Sequence, residues 1–195
     1  MKTTHSDFTP KTAGDWWLAF IGLLFGAAVG IKFADVDLRV PAWLLYHRAA
    51  LTHGVIAPGL LAWVAWRTRH QTWRGITIGF CMSNALHLSF DLFPRAWWGH
   101  ALIHLFEWEF PPALSWIWIA GSIVACVYLA RLFAQTIWDI VISLGGVAAG
   151  LMIYAHEGVM FPLAALIIAG VIAFILPFPR QRSAAKNAVR RFEDV

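Results

Sequence analysis

Six stretches of apolar residues alternate with short polar connections along the chain, and each is close to the roughly 20 residues a helix needs to cross a bilayer. The first runs from Trp16 to Ala34 and opens on a Trp-Trp pair suited to a membrane interface. The second is expected from about Pro41 to Trp66, the third from Gly75 to Phe93 and the fourth from Ala113 to Phe133. The fifth follows from Thr136 to Tyr154 and the sixth from Val159 to Pro177. Asp35-Val-Asp37-Leu-Arg39-Val-Pro41 separates the first two, and the basic stretch Arg67 to Arg74 the next two. A connection rich in Trp, His and Glu, Pro94 to Pro112, leads into the fourth. Gly145, Gly146 and Gly150 in the fifth are small residues suited to close helix packing. The pattern predicts an all-α integral membrane protein, a bundle of about six transmembrane helices. It forms a single domain over residues 1–195, with a short polar segment at 1–14 and a basic tail at 178–195. With Met1 at its start, the first run is expected as a retained span rather than a cleaved signal peptide.

Charge sets the orientation, because short basic loops stay in the cytoplasm. Lys2, Lys11, Arg67, Arg69, Arg74, Arg131 and the tail bases Arg180, Arg182, Lys186, Arg190 and Arg191 fall on one side of a six-span arrangement. Lys32, Arg39 and Arg95 fall on the other. The expected location is therefore the inner membrane, multi-pass, with both termini cytoplasmic. Composition agrees: 59% of the residues are hydrophobic and 13% charged, with a mean hydropathy of +0.64, against the roughly one-quarter charged content of soluble domains. The basic tail suits anionic lipid headgroups, and no nucleic-acid partner is read from it. Cys81 and Cys126 both lie inside apolar runs, which argues against a disulfide framework or a cysteine metal site.

This topology gathers the chemistry at one depth. His47, His53, His87, His100, His104 and His156, with Asp35, Asp37, Asp91, Glu107, Glu109 and Glu157, all fall at or near the non-cytoplasmic ends of their spans. Ionisable groups in membrane segments are costly, so their convergence marks a candidate site. Asn84, His87 and Asp91 share one helical face through three- and four-residue spacings; they read either as part of a metal site or as a hydrogen-bonded packing pair. Asp35 and Asp37 point the same way if their loop is extended, or are simply solvated. His47 and His53, six residues apart, would lie about 120° apart on a regular helix, so a shared site requires a broken helix. Arg48 is suited to gripping a phosphate or carboxylate, or to snorkelling. His100 and His104 chelate a metal if helical, or belong to an interfacial helix with Trp97, Trp98 and Trp108. His156 and Glu157 are secondary candidates or turn residues. Asp139 reads as a charge complementing a helix dipole.

The order Asp35-x-Asp37, then His47-Arg48 with Thr52-His53, then His87-x-x-x-Asp91, resembles the YdjM-type family of membrane-bound metal-dependent hydrolases over about residues 30–95. That family carries an Asp-x-Asp-His stretch, a His-Arg-Gly-x-Thr-His-Ser motif and a later His-x-x-x-Asp. Here Leu38 stands in place of the first histidine, the second motif is one residue longer, and Gly54 replaces the serine. These departures imply either a remodelled site or partial loss of the chemistry. The family's kinship with zinc-dependent phospholipase C enzymes implies phosphoester hydrolysis.

The leading functional expectation is a metal-dependent hydrolase acting on a lipid or lipid-linked phosphoester at the non-cytoplasmic face, with membrane lipids as surroundings and substrate source. Histidine and carboxylate donors suit zinc, one or two ions. His47, His53, His87, Asp91 and Asp37 are its expected ligands, and Arg48, Asp35 and Asp37 the expected catalytic groups. The alternative is non-enzymatic: a metal or proton transporter, or a haem-binding membrane subunit using buried histidines. Transport predicts polar residues on both sides of the midplane, and haem predicts histidines facing each other between helices. A di-iron desaturase is disfavoured by the absence of His-x-x-His-His boxes.

Overall fold

The computed structural model describes residues 9–41, 46–93 and 102–177, and within them the fold is all-α. Six helices are described: α1 (Ala13–Phe33), α2 (Ile56–Thr68), α3 (Gln71–Asp91), α4 (Pro112–Phe133), α5 (Ile137–Ile153) and α6 (Met160–Ile175). A two-stranded hairpin of β1 (His104–Leu105) and β2 (Trp108–Glu109) precedes α4. The expected segment at 1–14 is described only from residue 9. Residues 94–101, with Arg95, Trp97, Trp98 and His100, and the basic tail at 178–195 lie outside the described residues.

Local chemistry sets the boundaries. Thr12 and Thr136 each close a capping box, with Asp15 and Asp139 three residues on, at the starts of α1 and α5. Pro112 opens α4, where a missing N–H costs nothing. Arg69, in left-handed conformation, ends α2.

The central helix is α3, buried along nearly its whole length and touched by α1, α2, α4, α5 and α6. Its buried hydroxyls turn back on the backbone: Thr77 Oγ1 donates to Trp73 O at 2.8 Å and Ser83 Oγ to Gly79 O at 2.8 Å. Its closest neighbour is α1. Gly22, Gly26 and Gly30 of α1 lie against the backbone of Thr72, Ile76 and Phe80, while Gly75 and Gly79 of α3 lie against Ala19 and Leu23. Any Cβ at Gly26 or Gly79 would overlap a carbonyl oxygen of the facing helix, so the two backbones meet through small-xxx-small spacing on both sides. In α5 the expected packing role falls to Gly150, against Leu86 and Ile31, whereas Gly145 and Gly146 face open space.

The peripheral helices carry their apolar side chains outward, among them Trp17, Phe25, Ile117, Ile153 and Phe174. Two segments, Ala13–Arg39 and α4, are long and apolar enough to cross a membrane; α5 and α6 are apolar and shorter, at 17 and 16 residues.

The expected second helix is corrected at its start. Residues 46–55 form turns and α2 begins only at Ile56, because the N–H groups of Arg48 and Ala49 go to the Asp37 carboxylate and that of Ala50 to His104 O, while those of Thr52 and His53 close a single turn on Ala49 O. The Asp35 to Asp37 stretch is likewise a 3-10 turn over Ala34–Arg39 rather than extended chain.

Candidate metal centre

Three segments meet at the C-terminal end of α3: that helix's last turns, the 3-10 turn after α1, and the turn before α2. The organising group is Asp37, buried within the 3-10 turn. Its Oδ2 accepts from the backbone N–H of Arg48 at 2.7 Å, from Ala49 N–H at 3.3 Å and from the Thr52 hydroxyl at 3.0 Å. Arg48 reaches this geometry at a φ of 60°, a left-handed conformation uncommon for a non-glycine residue. The wrapped turn then presents the His53 ring to α3, and Trp118 of α4 steadies it by donating from Nε1 to His53 O at 2.9 Å. A Cβ at Gly54 would stand 2.6 Å from Trp118 Nε1, so the tryptophan occupies the space that a serine there would need.

His53 is buried, its Nδ1 3.3 Å from Asp37 Oδ2 and 3.1 Å from Thr52 Oγ1. With Nδ1 donating to Asp37, His53 would turn the lone pair of Nε2 toward Asp91. His87 is set in the same way, because its Nδ1 lies 3.1 Å from Ile31 O, which can only accept. Each free Nε2 lies 3.4 Å from Asp91 Oδ2, and that oxygen is buried with no hydrogen bond. A cation among these atoms, a metal ion or a proton on an imidazole, offsets the repulsion between their lone pairs. Ligands arranged tetrahedrally about 2.0–2.1 Å from a zinc ion stand about 3.3–3.4 Å apart; both histidine-to-Asp91 pairs have that spacing, and all three donor atoms lie within 4.8 Å of one another. His53, His87 and Asp91 thus form a group that can hold a metal ion.

The rim is polar. Asp35 Oδ1 lies 3.6 Å from His87 Nε2, and Asp35 Oδ2 lies 3.8 Å from Lys32 Nζ, which donates to Tyr154 Oη at 3.4 Å. The Arg48 guanidinium is near enough to Asp91 to act on it electrostatically. His47, read from sequence as a ligand, sits with its Nδ1 3.4 Å from Asp37 Oδ1 and a half-exposed ring, outside the three-residue group. Asp37 likewise touches the back of His53 rather than the face turned to Asp91.

The secondary candidates separate from this cluster. Asn84 is turned into the helix packing, donating to Gly54 O at 3.4 Å and Cys126 Sγ at 3.7 Å; both cysteines are free and buried. His104 belongs to β1, so the expected helical pair with His100 has no helix at His104, and it lies 3.8 Å from Glu109. His156 and Glu157 are exposed and face each other at 3.6 Å. Lys32, Tyr154 and the Ile31 carbonyl escaped the reading of the sequence. Lys32 had a visible signal, its three-residue spacing from Asp35; the carbonyl had none. Asp139 does more than complement a dipole: its Oδ2 meets Arg74 Nη1 at 2.7 Å, a buried ion pair at the other end of α3.

Comparisons with family models, curated proteins and solved structures find no match to this chain.

Proposed function

We propose that this chain is a six-span inner-membrane protein with cytoplasmic termini and a zinc-dependent hydrolase site at its non-cytoplasmic face, acting on a lipid or lipid-linked phosphoester. The outward-facing apolar side chains around a more polar central helix support the membrane reading, since a bilayer rewards that arrangement and water does not.

The observation that carries the hydrolase reading is the His53, His87 and Asp91 trio. Three protein ligands leave a fourth position open, as in catalytic zinc sites, whereas structural sites are closed by four. Nitrogen and oxygen donors together suit zinc. A bound ion supplies Lewis acidity and a water acidified enough to attack near neutral pH. Asp35, half-buried with Oδ1 3.6 Å from His87 Nε2, would serve as the base beside such an ion. Arg48 holds the phosphoryl oxygens, and Asp37 fixes the His53 tautomer. Asp35, Asp37, His47, Arg48, Thr52, His53, His87 and Asp91, which carry the YdjM-type resemblance, belong to one contact network, and this favours kinship with that family.

The test is metal content of purified wild type beside His87→Ala and Asp91→Ala, followed by phosphoester release from phospholipid and lipid-linked substrates by the zinc-loaded protein. Metal should co-purify with wild type and be lost from both variants. Unchanged metal in folded variants would overturn the site. Retained metal in a wild type that releases no phosphoester would leave a metal-binding protein and remove the hydrolase.

A further inference from the structure

The hairpin before α4 is built against the usual rules for soluble turns. Only Phe106 and Glu107 join its two strands, and Phe106 has a φ of 55°. Such positions ordinarily go to glycine or asparagine, and a bulky aromatic there is a genuine outlier whose persistence points to a use. Phe106 is also 81% exposed and Trp108 80%, the highest values among the large hydrophobic residues described. A backbone penalty is therefore accepted in order to present aromatic surface, which gains nothing in water.

Beneath the tip lies a cavity of about 600 Å³ whose walls include Tyr46, Leu51, Ile56, Leu105, Phe106 and Trp108. Ile56 opens α2, and with Leu60 and Trp63 it makes an exposed apolar stripe at helical spacing. Tip, cavity and stripe thus form one continuous apolar flank. The hairpin is also fastened to the metal-site turn. Ala50 N–H donates to His104 O at 2.8 Å, His104 N–H donates to Arg48 O at 3.0 Å, and His104 Nδ1 lies 3.0 Å from His47 O.

We propose that the His104–Glu109 hairpin is a lipid-binding element: Phe106 and Trp108 insert into the bordering leaflet, and the cavity beneath them takes part of the acyl chain of a bilayer phospholipid. Aromatic side chains partition to the membrane interface, and the flank leading down α2 is the surface a bilayer would cover. The backbone bonds to residues 48–50 carry the position of the inserted tip to the turn that holds Arg48 and His53. This inference rests on the membrane reading above and not on the metal.

The test uses the full chain in phosphatidylcholine vesicles, with Glu107→Cys carrying an environment-sensitive fluorophore; the native Cys81 and Cys126 are buried. Nitroxide on the lipid should quench the label, and iodide present on both faces should not. Quenching by iodide without quenching by the lipid nitroxide would place the tip in water and overturn the proposal. Protection from both would mean that protein, such as a second copy of the chain, covers it, which overturns the proposal equally. Adding Phe106→Gly and Trp108→Ser should abolish lipid quenching, and unchanged quenching would remove the aromatic anchors. A second label at Ile117→Cys, exposed on α4, tests the membrane reading alone: lipid quenching there with iodide quenching at residue 107 overturns the hairpin proposal only, and iodide quenching at both overturns the membrane reading with it.

Discussion

Nε2 of His53, on the turn before α2, stands 3.4 Å from Oδ2 of Asp91, the last residue of α3. The opposite nitrogen of the same ring stands 3.3 Å from Asp37. One imidazole therefore faces a candidate ligand partner on one side and an orienting carboxylate on the other, and the two carboxylates are expected to fail differently.

Asp91→Asn removes a charged ligand, whereas Asp37→Asn keeps an oxygen for the N–H groups of Arg48 and Ala49 and loses only the charge behind His53. Orienting partners of metal ligands are typically worth about 10–100-fold in metal affinity. Asp37→Asn is expected to lose affinity within that range with full stoichiometry at saturating zinc, and Asp91→Asn to lose more than about 100-fold. Competition titration against a chromophoric chelator measures both. Equal losses would refute the division of roles.

A cation among the three donor atoms should also hold the bundle together, since two segments far apart in sequence, the turn before α2 and the last turns of α3, supply them. At a zinc concentration 100 times Kd, one site binding only the folded state adds about 2.7 kcal/mol. Thermal unfolding in detergent is expected to shift down on chelation and to recover with zinc, in wild type but not in His87→Ala. A shift of the same size in that variant would place the stabilising ion elsewhere.

The ends of α4, α5 and α6 were legible because long apolar runs flanked by Pro112, Thr136 and Pro177 leave little choice of boundary. The start of α2 was not, because hydropathy cannot tell helix from a turn whose N–H groups are satisfied by a distant carboxylate. Asp37, the acceptor, lies in another segment. For the site, residue types and one helical spacing, His87 to Asp91, were readable. The division between ligand and orienting residue was not, because it depends on which face of the His53 ring each carboxylate meets. The contact of α1 with α3 was written in Gly22, Gly26 and Gly30, but the glycines of α5 look much the same in sequence, and only the facing backbone distinguishes them.

That distinction is testable by substitution. Gly26→Ala would drive a Cβ into the Ile76 carbonyl, while Gly145→Ala meets nothing within 4 Å. Overpacking of this kind typically costs about 1–3 kcal/mol, and alanine is favoured over glycine in an open helix position by about 1 kcal/mol. Gly26→Ala is expected to lower the unfolding midpoint in detergent and Gly145→Ala to leave it unchanged or raise it. Similar midpoints for the two would contradict the close α1–α3 crossing.

At the far end of α3, the buried Arg74 and Asp139 form a pair whose halves are unequal. Asp139 Oδ2 also accepts from Gln135 N–H, Thr136 N–H and the Thr136 hydroxyl, so its charge keeps three donors when the cation is removed. Arg74 has Gln71 Oε1 at 2.7 Å and Phe133 O at 3.2 Å, but its guanidinium cannot shed its charge. Breaking a buried pair from one side typically costs about 3–5 kcal/mol. Asp139→Asn, which strands the arginine, is expected in that range and Arg74→Met below it, with the double substitution recovering part of the Asp139→Asn loss. Arg74 lies 17 residues before Asp91 on the same helix, about 25 Å away at 1.5 Å per residue. Zinc affinity of all three variants should therefore match wild type. A double-mutant cycle by thermal unfolding, with metal content measured on each sample, checks the order, and an Arg74→Met loss larger than that of Asp139→Asn would reverse the assignment of which charge depends on the other.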